Sequence, residues 1–183
     1  PPLPHRSGAA GRVIRPLTLA DLSQALAIQA ECYPPAIRDG EAAFASRITA
    51  APDGCWAVEI EGQLAGYLLS HPWVSMAPPA PDTCLESAEG DVWYIHDLSV
   101  APWARGQGLG DGLLVACRAA HPDIRRSELV AVPGAAPFWA QRGWGPVAMP
   151  PALAAKIARY GSGSVYMARD FSGTASLATT QPF

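Results

Sequence analysis

The sequence predicts a single mixed α/β (α+β) domain, an antiparallel front half joined to a β-α-β crossover. Two observations carry that reading. The chain runs through strand-like and helix-like stretches in the order β α α β β β α β α, a short element, then β. Residues 91–111, DVWYIHDLSVAPWARGQGLGD, pass from a strand through a glycine-rich loop into a helix. A crossover of that kind pairs its two strands in parallel and turns right-handed. The composition agrees, because 183 residues with 49% apolar and 16% charged side chains are enough for one globular core.

The elements follow in order. Residues 1–11 read as a disordered leader, 12–170 as the domain and 171–183 as a flexible tail. Arg12 to Pro16 is a short strand ended by proline. Thr18 can cap the next helix, and Asp21 completes a capping-box pattern. Leu22, Leu26, Gln29 and Ala30 run along that helix to about Cys32, where Tyr33-Pro34-Pro35 breaks it. A second helix covers about 40–50, with Phe44 and Ile48 four apart. A Pro-Asp-Gly turn leads into two strands, 55–60 and 63–72, joined at Glu61-Gly62. Residues 75–90, rich in proline, form a long loop of the kind that serves as a lid or a substrate wall.

Val92, Tyr94, His96, Leu98 and Val100 then alternate with Trp93, Ile95, Asp97 and Ser99. This is a strand, and its alternation puts His96 and Asp97 on opposite faces. From Leu109 the apolar spacing turns helical through Leu113, Ala116, Cys117 and Ala120. A strand at 127–132, a short helix at 135–142, a turn at Gly143-Trp144-Gly145, a helical turn or two at 151–159 and a strand at 164–170 complete the domain.

The glycine loop carries the first chemical signal. Gly106, Gly108, Gly110 and Gly112 lie at alternate positions before and within the helix start. A helix N-terminus offers free amides and a positive dipole end to an anion, and glycine lets a phosphate approach the backbone. Arg105 adds a permanent charge. No lysine follows as a Walker loop requires, and G-x-G-x-x-G fails at Asp111 and Leu113. The pattern that fits is [RQ]-x-x-G-x-[GA], as Arg105-Gly106-Gln107-Gly108-Leu109-Gly110. It resembles the acetyl-CoA pyrophosphate loop of the GCN5-related N-acetyltransferases (GNAT).

The resemblance extends from about residue 12 to 170. Ala136-Pro137-Phe138-Trp139-Ala140-Gln141-Arg142-Gly143-Trp144 is similar to the family's P-F-Y-x-x-x-G-F segment. Cys32-Tyr33-Pro34-Pro35 and residues 48–73 resemble the serotonin (arylalkylamine) N-acetyltransferase branch, which suggests a bacterial relative. The resemblance implies the GNAT acyl-CoA N-acyltransferase fold with acetyl-CoA as cosubstrate. It also implies acetyl transfer to a primary amine by direct attack on the thioester, a small aromatic amine being one candidate. A peptide N-terminus, a polyamine or an antibiotic is the rival acceptor, and a non-catalytic acyl-CoA sensor the rival function. Cofactor contacts carried over are Leu98, Ser99 and Val100 on the strand edge, Arg105 to Asp111 in the loop, and Phe138 with Trp139. Tyr33, Pro34 and Trp73 are expected at the acceptor.

His96 falls on the second histidine of the branch's H-x-H-x-L-x-V strand and is the candidate base, since histidine titrates near neutrality. Asp97 is expected to pair structurally with the backbone or an arginine. Trp139 replaces the tyrosine that the family uses to protonate the thiolate, and an indole is no practical acid. Tyr94 and Tyr166 are therefore the candidate donors, with Tyr160 and water behind them.

A net charge of −3 with one lysine and twelve arginines shows no basic face, so no nucleic-acid partner is expected. No apolar run reaches a membrane span, and PPLPHRSGAAGR has no signal-peptide core, so a cytoplasmic protein is expected. Four scattered cysteines without a C-x-x-C pair read as free buried thiols, not as a metal site. A monomer or homodimer fits this size.

Overall fold

Seven strands form one sheet in the computed structural model, which describes residues 11–171. They are β1 (Arg12–Pro16), β2 (Cys55–Ile60), β3 (Gln63–Trp73), β4 (Val92–Val100), β5 (Arg126–Ala131), β6 (Gly145–Pro146) and β7 (Val165–Asp170). Their order across the sheet is β1-β2-β3-β4-β5-β7-β6. All neighbours pair antiparallel except β4 and β5. The helices are α1 (Leu22–Cys32), α2 (Glu41–Ala50), α3 (Leu109–Ala120), α4 (Ala136–Gln141) and α5 (Pro151–Ile157). The expected Thr18 capping box forms: the Thr18 amide donates to Asp21 Oδ2 at 2.9 Å.

The sheet buries both faces. Leu109, Leu113, Leu114 and Cys117 of α3 join Trp139, Trp144, Leu68, Trp93 and Ile95 on one side. Ala25, Ile28, Phe44 and Ile48 of α1 and α2 join Tyr67 and Leu69 on the other. The period of two along β3 thus sends Tyr67 and Leu69 to one layer and Leu68 to the other.

Strand β4 departs from the expected alternation. Leu69 faces Asp97 and Ser70 faces Ile95, so His96 is an extra residue in a β-bulge. The inserted residue reverses the pattern behind it. Leu98 and Val100 pack on the α3 side with Trp93 and Ile95. Asp97 turns to the α1/α2 side, where His96 also points. The expected separation of the two side chains onto opposite faces is therefore corrected by one residue of register.

Three further expectations change. Residues 75–90 have no regular structure but are pinned to the body. Glu128, fully buried on β5, accepts hydrogen bonds from Ser75 Oγ, the Met76 amide, Tyr166 and Arg126. Trp73 donates its indole N–H to the Ala77 carbonyl, and Tyr160 its hydroxyl to that of Pro79. The Asp82 and Leu85 amides donate to Asp39 Oδ1 and Ser46 Oγ. The turn at Gly143–Gly145 ends in β6. Phe171, assigned to the tail, is buried against Trp93 and Trp144, with the Arg118 guanidinium 3.5 Å over its ring. The remainder of that tail and His5 lie outside the described residues.

Candidate active site

The glycine loop forms the entrance. A short 3-10 turn, Pro102–Ala104, ends β4 and leads into Arg105. Gly106 and Gly108 have φ of +80° and +71°, a region open to glycine at little cost. Gly108 is the N-cap of α3, so the amides of Leu109, Gly110 and Asp111 have no intrahelical acceptor. A Cβ on Gly106 or Gly108 would meet no atom within 4 Å, so the space over the loop is open. Asp111 would repel a phosphate there, but Arg142 holds its carboxylate with two bonds of 2.6 and 3.1 Å. That pairing keeps Asp111 below the ordinary carboxylate range. Arg105 lies at the rim, its Nη2 3.6 Å from Cys32 Sγ. Gln107 faces outward, its carbonyl accepting from Arg12 at 2.9 Å.

From the loop a cleft of about 660 Å³ runs into the sheet. Its cause is a split between strands. β4 and β5 pair only through Trp93–Ser127, Tyr94–Glu128 and Ile95–Leu129. Past Ile95 they diverge, and the edge of β4 from Leu98 to Val100 faces the gap. The cleft walls include those residues, Leu129, Val130, Phe138 and Trp139, and the inner end is closed by Tyr94, His96, Asp97, Tyr33, Asp39 and Tyr160.

His96 is tethered at that inner end. Its Nε2 donates to Asp39 Oδ2 at 2.6 Å, and the side chains are 6% and 3% exposed. Asp39 is also within 3.4 Å of Arg47 Nε. Gln29, buried on α1, clamps the Asp39 backbone by accepting from its amide at 2.9 Å and donating to its carbonyl at 2.8 Å. Burial alone would raise the Asp39 carboxyl. The hydrogen bond and charge of His96, the charge of Arg47 and the Asp82 amide outweigh it and hold the group at about 2. An ionised Asp39 accepts the Nε2 proton, so in the neutral ring Nδ1 carries the free lone pair. That Nδ1 is buried and has no hydrogen-bond partner among the described residues.

The model of the Acetyltransferase (GNAT) family matches residues 22–144. The chain belongs to the GNAT acetyltransferase family. Its GNAT domain is 28% identical to a Bacillus subtilis (strain 168) protein described as the uncharacterized N-acetyltransferase YkwB, over 55% of this chain and 51% of that protein. The chain thus spans about half the length of the curated relative it matches. Among solved structures, the GphF GNAT-like decarboxylase in complex with isobutyryl-CoA superposes with a TM-score of 0.72 at 21% identity, over 86% of this chain and 98% of that one. The loading GNATL domain of CurA from Lyngbya majuscula gives 0.70 at 17%, over 87% and 97%. Arabidopsis thaliana Naa50, in complex with the bisubstrate analogue CoA-Ac-MVNAL, gives 0.62 at 15%, over 88% and 100%. At these identities the structures establish the GNAT fold.

The remaining candidates of this GNAT domain divide between cleft and body. Tyr94, Tyr33, Phe138 and Trp139 line the cleft. Tyr166 does not: its hydroxyl is spent on Glu128 at 2.5 Å, and its ring packs with Leu153 and Ile157. Pro34 only starts the 3-10 turn of Pro35–Ile37, and Trp73, which does not line the cleft, meets His71 edge-on. Trp139 is 7% exposed and wedged edge-on between Phe138 and Trp144, so packing already occupies much of its ring. Among the described residues Asp97 meets neither the backbone group nor the arginine expected for it; three hydroxyls surround it instead, because the bulge turns it beneath α1. Sequence reasoning missed Asp39. The one signal was Gln29, an amide on the core-facing side of α1 that needed buried partners of its own.

Proposed function

We propose that this domain transfers an acetyl group from acetyl-CoA to a primary amine, with His96 as the base and Asp39 positioning it. The observation that carries the reading is the tethered His96, with a free, buried Nδ1, at the inner end of a cleft that starts at the glycine loop. Acetyl-CoA brings a reactive thioester, so the chain's work is to hold it, orient the amine and move a proton. The residues fit that cosubstrate. The amides of Leu109, Gly110 and Asp111 with Arg105 suit a pyrophosphate, and the free edge from Leu98 to Val100 suits the amides of a pantetheine arm. The isobutyryl-CoA bound to GphF and the CoA analogue bound to Naa50 support the same use of the fold. The decarboxylase and loading domains among the relatives show that the fold leaves the acceptor open.

At the inner end, His96 accepts the proton that the ammonium must lose before it attacks. Asp39 then stabilises the imidazolium. The proton for the departing thiolate comes from Tyr94 or water, because Tyr166 is turned away and Trp139 carries no acidic proton. The aromatic surface of Tyr33, Tyr94 and Tyr160 supports a small aromatic amine, as the arylalkylamine branch would use. Cytoplasmic placement agrees with free Cys32, Cys55, Cys84 and Cys117.

The test is thiol release from acetyl-CoA over a panel of phenylethylamine, tryptamine, spermidine and short peptides. Release with at least one amine, abolished in His96→Gln, is expected. Tight acetyl-CoA binding without release on any acceptor overturns the enzyme. A non-catalytic acyl-CoA sensor would then take its place, the reading that Trp139 favours.

A further inference from the structure

The carboxylates on the cleft wall are Asp39, Asp97 and Asp111. Two are matched by cations: Asp111 by Arg142, Asp39 by Arg47 and His96. Asp97 has no cationic partner among the described residues, although it is only 7% exposed. Its surroundings are hydroxyls. Oδ1 accepts from Tyr33 at 2.8 Å and from Ser99 at 2.7 Å, and Oδ2 accepts from Tyr67 at 2.5 Å. These residues come from β4, β3 and the end of α1, so three elements converge on one acid.

A carboxylate has about four lone-pair positions. Three hydroxyl donors leave one open, on Oδ2. A buried anion without an opposite charge is costly, and hydroxyls compensate it only in part. Burial accordingly pushes the Asp97 carboxyl above its ordinary range. The bulge at His96 makes Asp97 its neighbour on the same face of the sheet. Two independent features therefore belong to residues lining the same cleft: an acid lacking a cation and a histidine nitrogen lacking a partner among the described residues.

We propose that Asp97, within its cage of Tyr33, Tyr67 and Ser99, is the recognition residue for the acceptor's ammonium group. The acceptor class is then a monocationic primary amine carrying an apolar or aromatic body, since among the described residues no second unmatched acid lines the cleft for a polyamine. The ammonium supplies the charge that Asp97 lacks. Its N–H bond then breaks toward His96 Nδ1, leaving the nitrogen lone pair free to attack. This deepens the acetyl-transfer reading and rests on it for the attack step alone; recognition can be measured without turnover.

The experiment is equilibrium binding to the CoA-loaded protein of two near-isosteres, phenylethylamine as the cation and 2-phenylethanol as its neutral counterpart. Wild type should bind the ammonium about 10- to 100-fold more tightly, the scale of a charged hydrogen bond. The preference should disappear in Asp97→Asn, while CoA affinity holds. Equal affinity for amine and alcohol in wild type overturns the proposal. So does an unchanged preference in a folded Asp97→Asn, or failure of every amine in the panel to bind. Should Asp97→Asn not fold, the wild-type comparison decides alone. Ammonium preference without thiol release sinks the enzyme reading and leaves the recognition site standing.

Discussion

The place of His96 on the cleft wall was legible in the sequence, because it stands at a motif position on a recognisable strand. Asp39, its partner, was not: the two are 57 residues apart, and only the folded path of α1 and α2 brings them together. The pairing makes a residue-scale prediction. In Asp39→Asn the amide can donate to Nε2, which would move the ring proton to Nδ1 and remove the free lone pair. The expected loss in kcat/KM is ~10²–10⁴-fold, with acetyl-CoA affinity unchanged. The double variant with His96→Gln should be no worse than the weaker single, because the two act as a unit. Additive losses would reduce Asp39 to a structural acid. Trp139 makes a second prediction. Trp139→Tyr removes part of a buried indole between Phe138 and Trp144, so Tm should fall by a few degrees. If thiolate protonation limits turnover, kcat should nevertheless rise. If it stays level while Tyr94→Phe slows the enzyme, Tyr94 is the donor.

At the scale of elements, hydrophobic period and turn residues placed the five helices and every strand but β6, since each of these buries a face that the pattern announces; β6 is two residues long, too short to carry a period. What they could not show was the bulge in β4. A single inserted residue leaves the local composition of a strand unchanged while reversing the faces behind it, so Asp97 and Leu98 exchange layers. Residues 75–90 misled for a related reason. Proline and lack of periodicity describe a backbone without regular structure, and only Glu128, hidden within a strand, shows that this backbone is fastened. The glycine loop was legible because positive φ and an open approach demand glycine whatever lies around them. Gly108→Val should abolish acetyl-CoA binding in titration calorimetry. It meets no neighbour, so the cost to the fold should be the left-handed strain of ~1–2 kcal/mol. A variant that binds normally would remove the loop from the cofactor site.

The whole molecule carries a pH dependence from its buried ionic network. His71 is 1% exposed, donates Nδ1–H to the Pro72 carbonyl at 3.0 Å and presents Nε2 to Arg47. Burial, with the charge of Arg47, lowers it to about 3. Below pH 6.5 the unfolded ring binds a proton that the folded ring refuses. Stability should therefore fall as pH drops from about 6.5 toward 3, by at most ~1.4 kcal/mol per pH unit. Asp39 titrates at about 2 when folded, so its contribution is present above the ordinary carboxylate range and is lost between about 4 and 2. Urea melts of His71→Gln should be flatter than wild type between pH 6.5 and 4; parallel curves would contradict the assignment. Apart from the two-residue edge strand β6, the same sheet has one weak seam. β3 and β4 are joined along eight residue pairs and β5 and β7 along six, but only three pairs tie β4 to β5. Mechanically this is a sheet of two leaves with a short spine, and the cleft is the gap between the leaves. A ligand that grips both should act as a staple. Amide hydrogens of Trp93 to Ile95 and Ser127 to Leu129 should exchange faster than the rest of the core in the free protein, and slow most when acetyl-CoA binds.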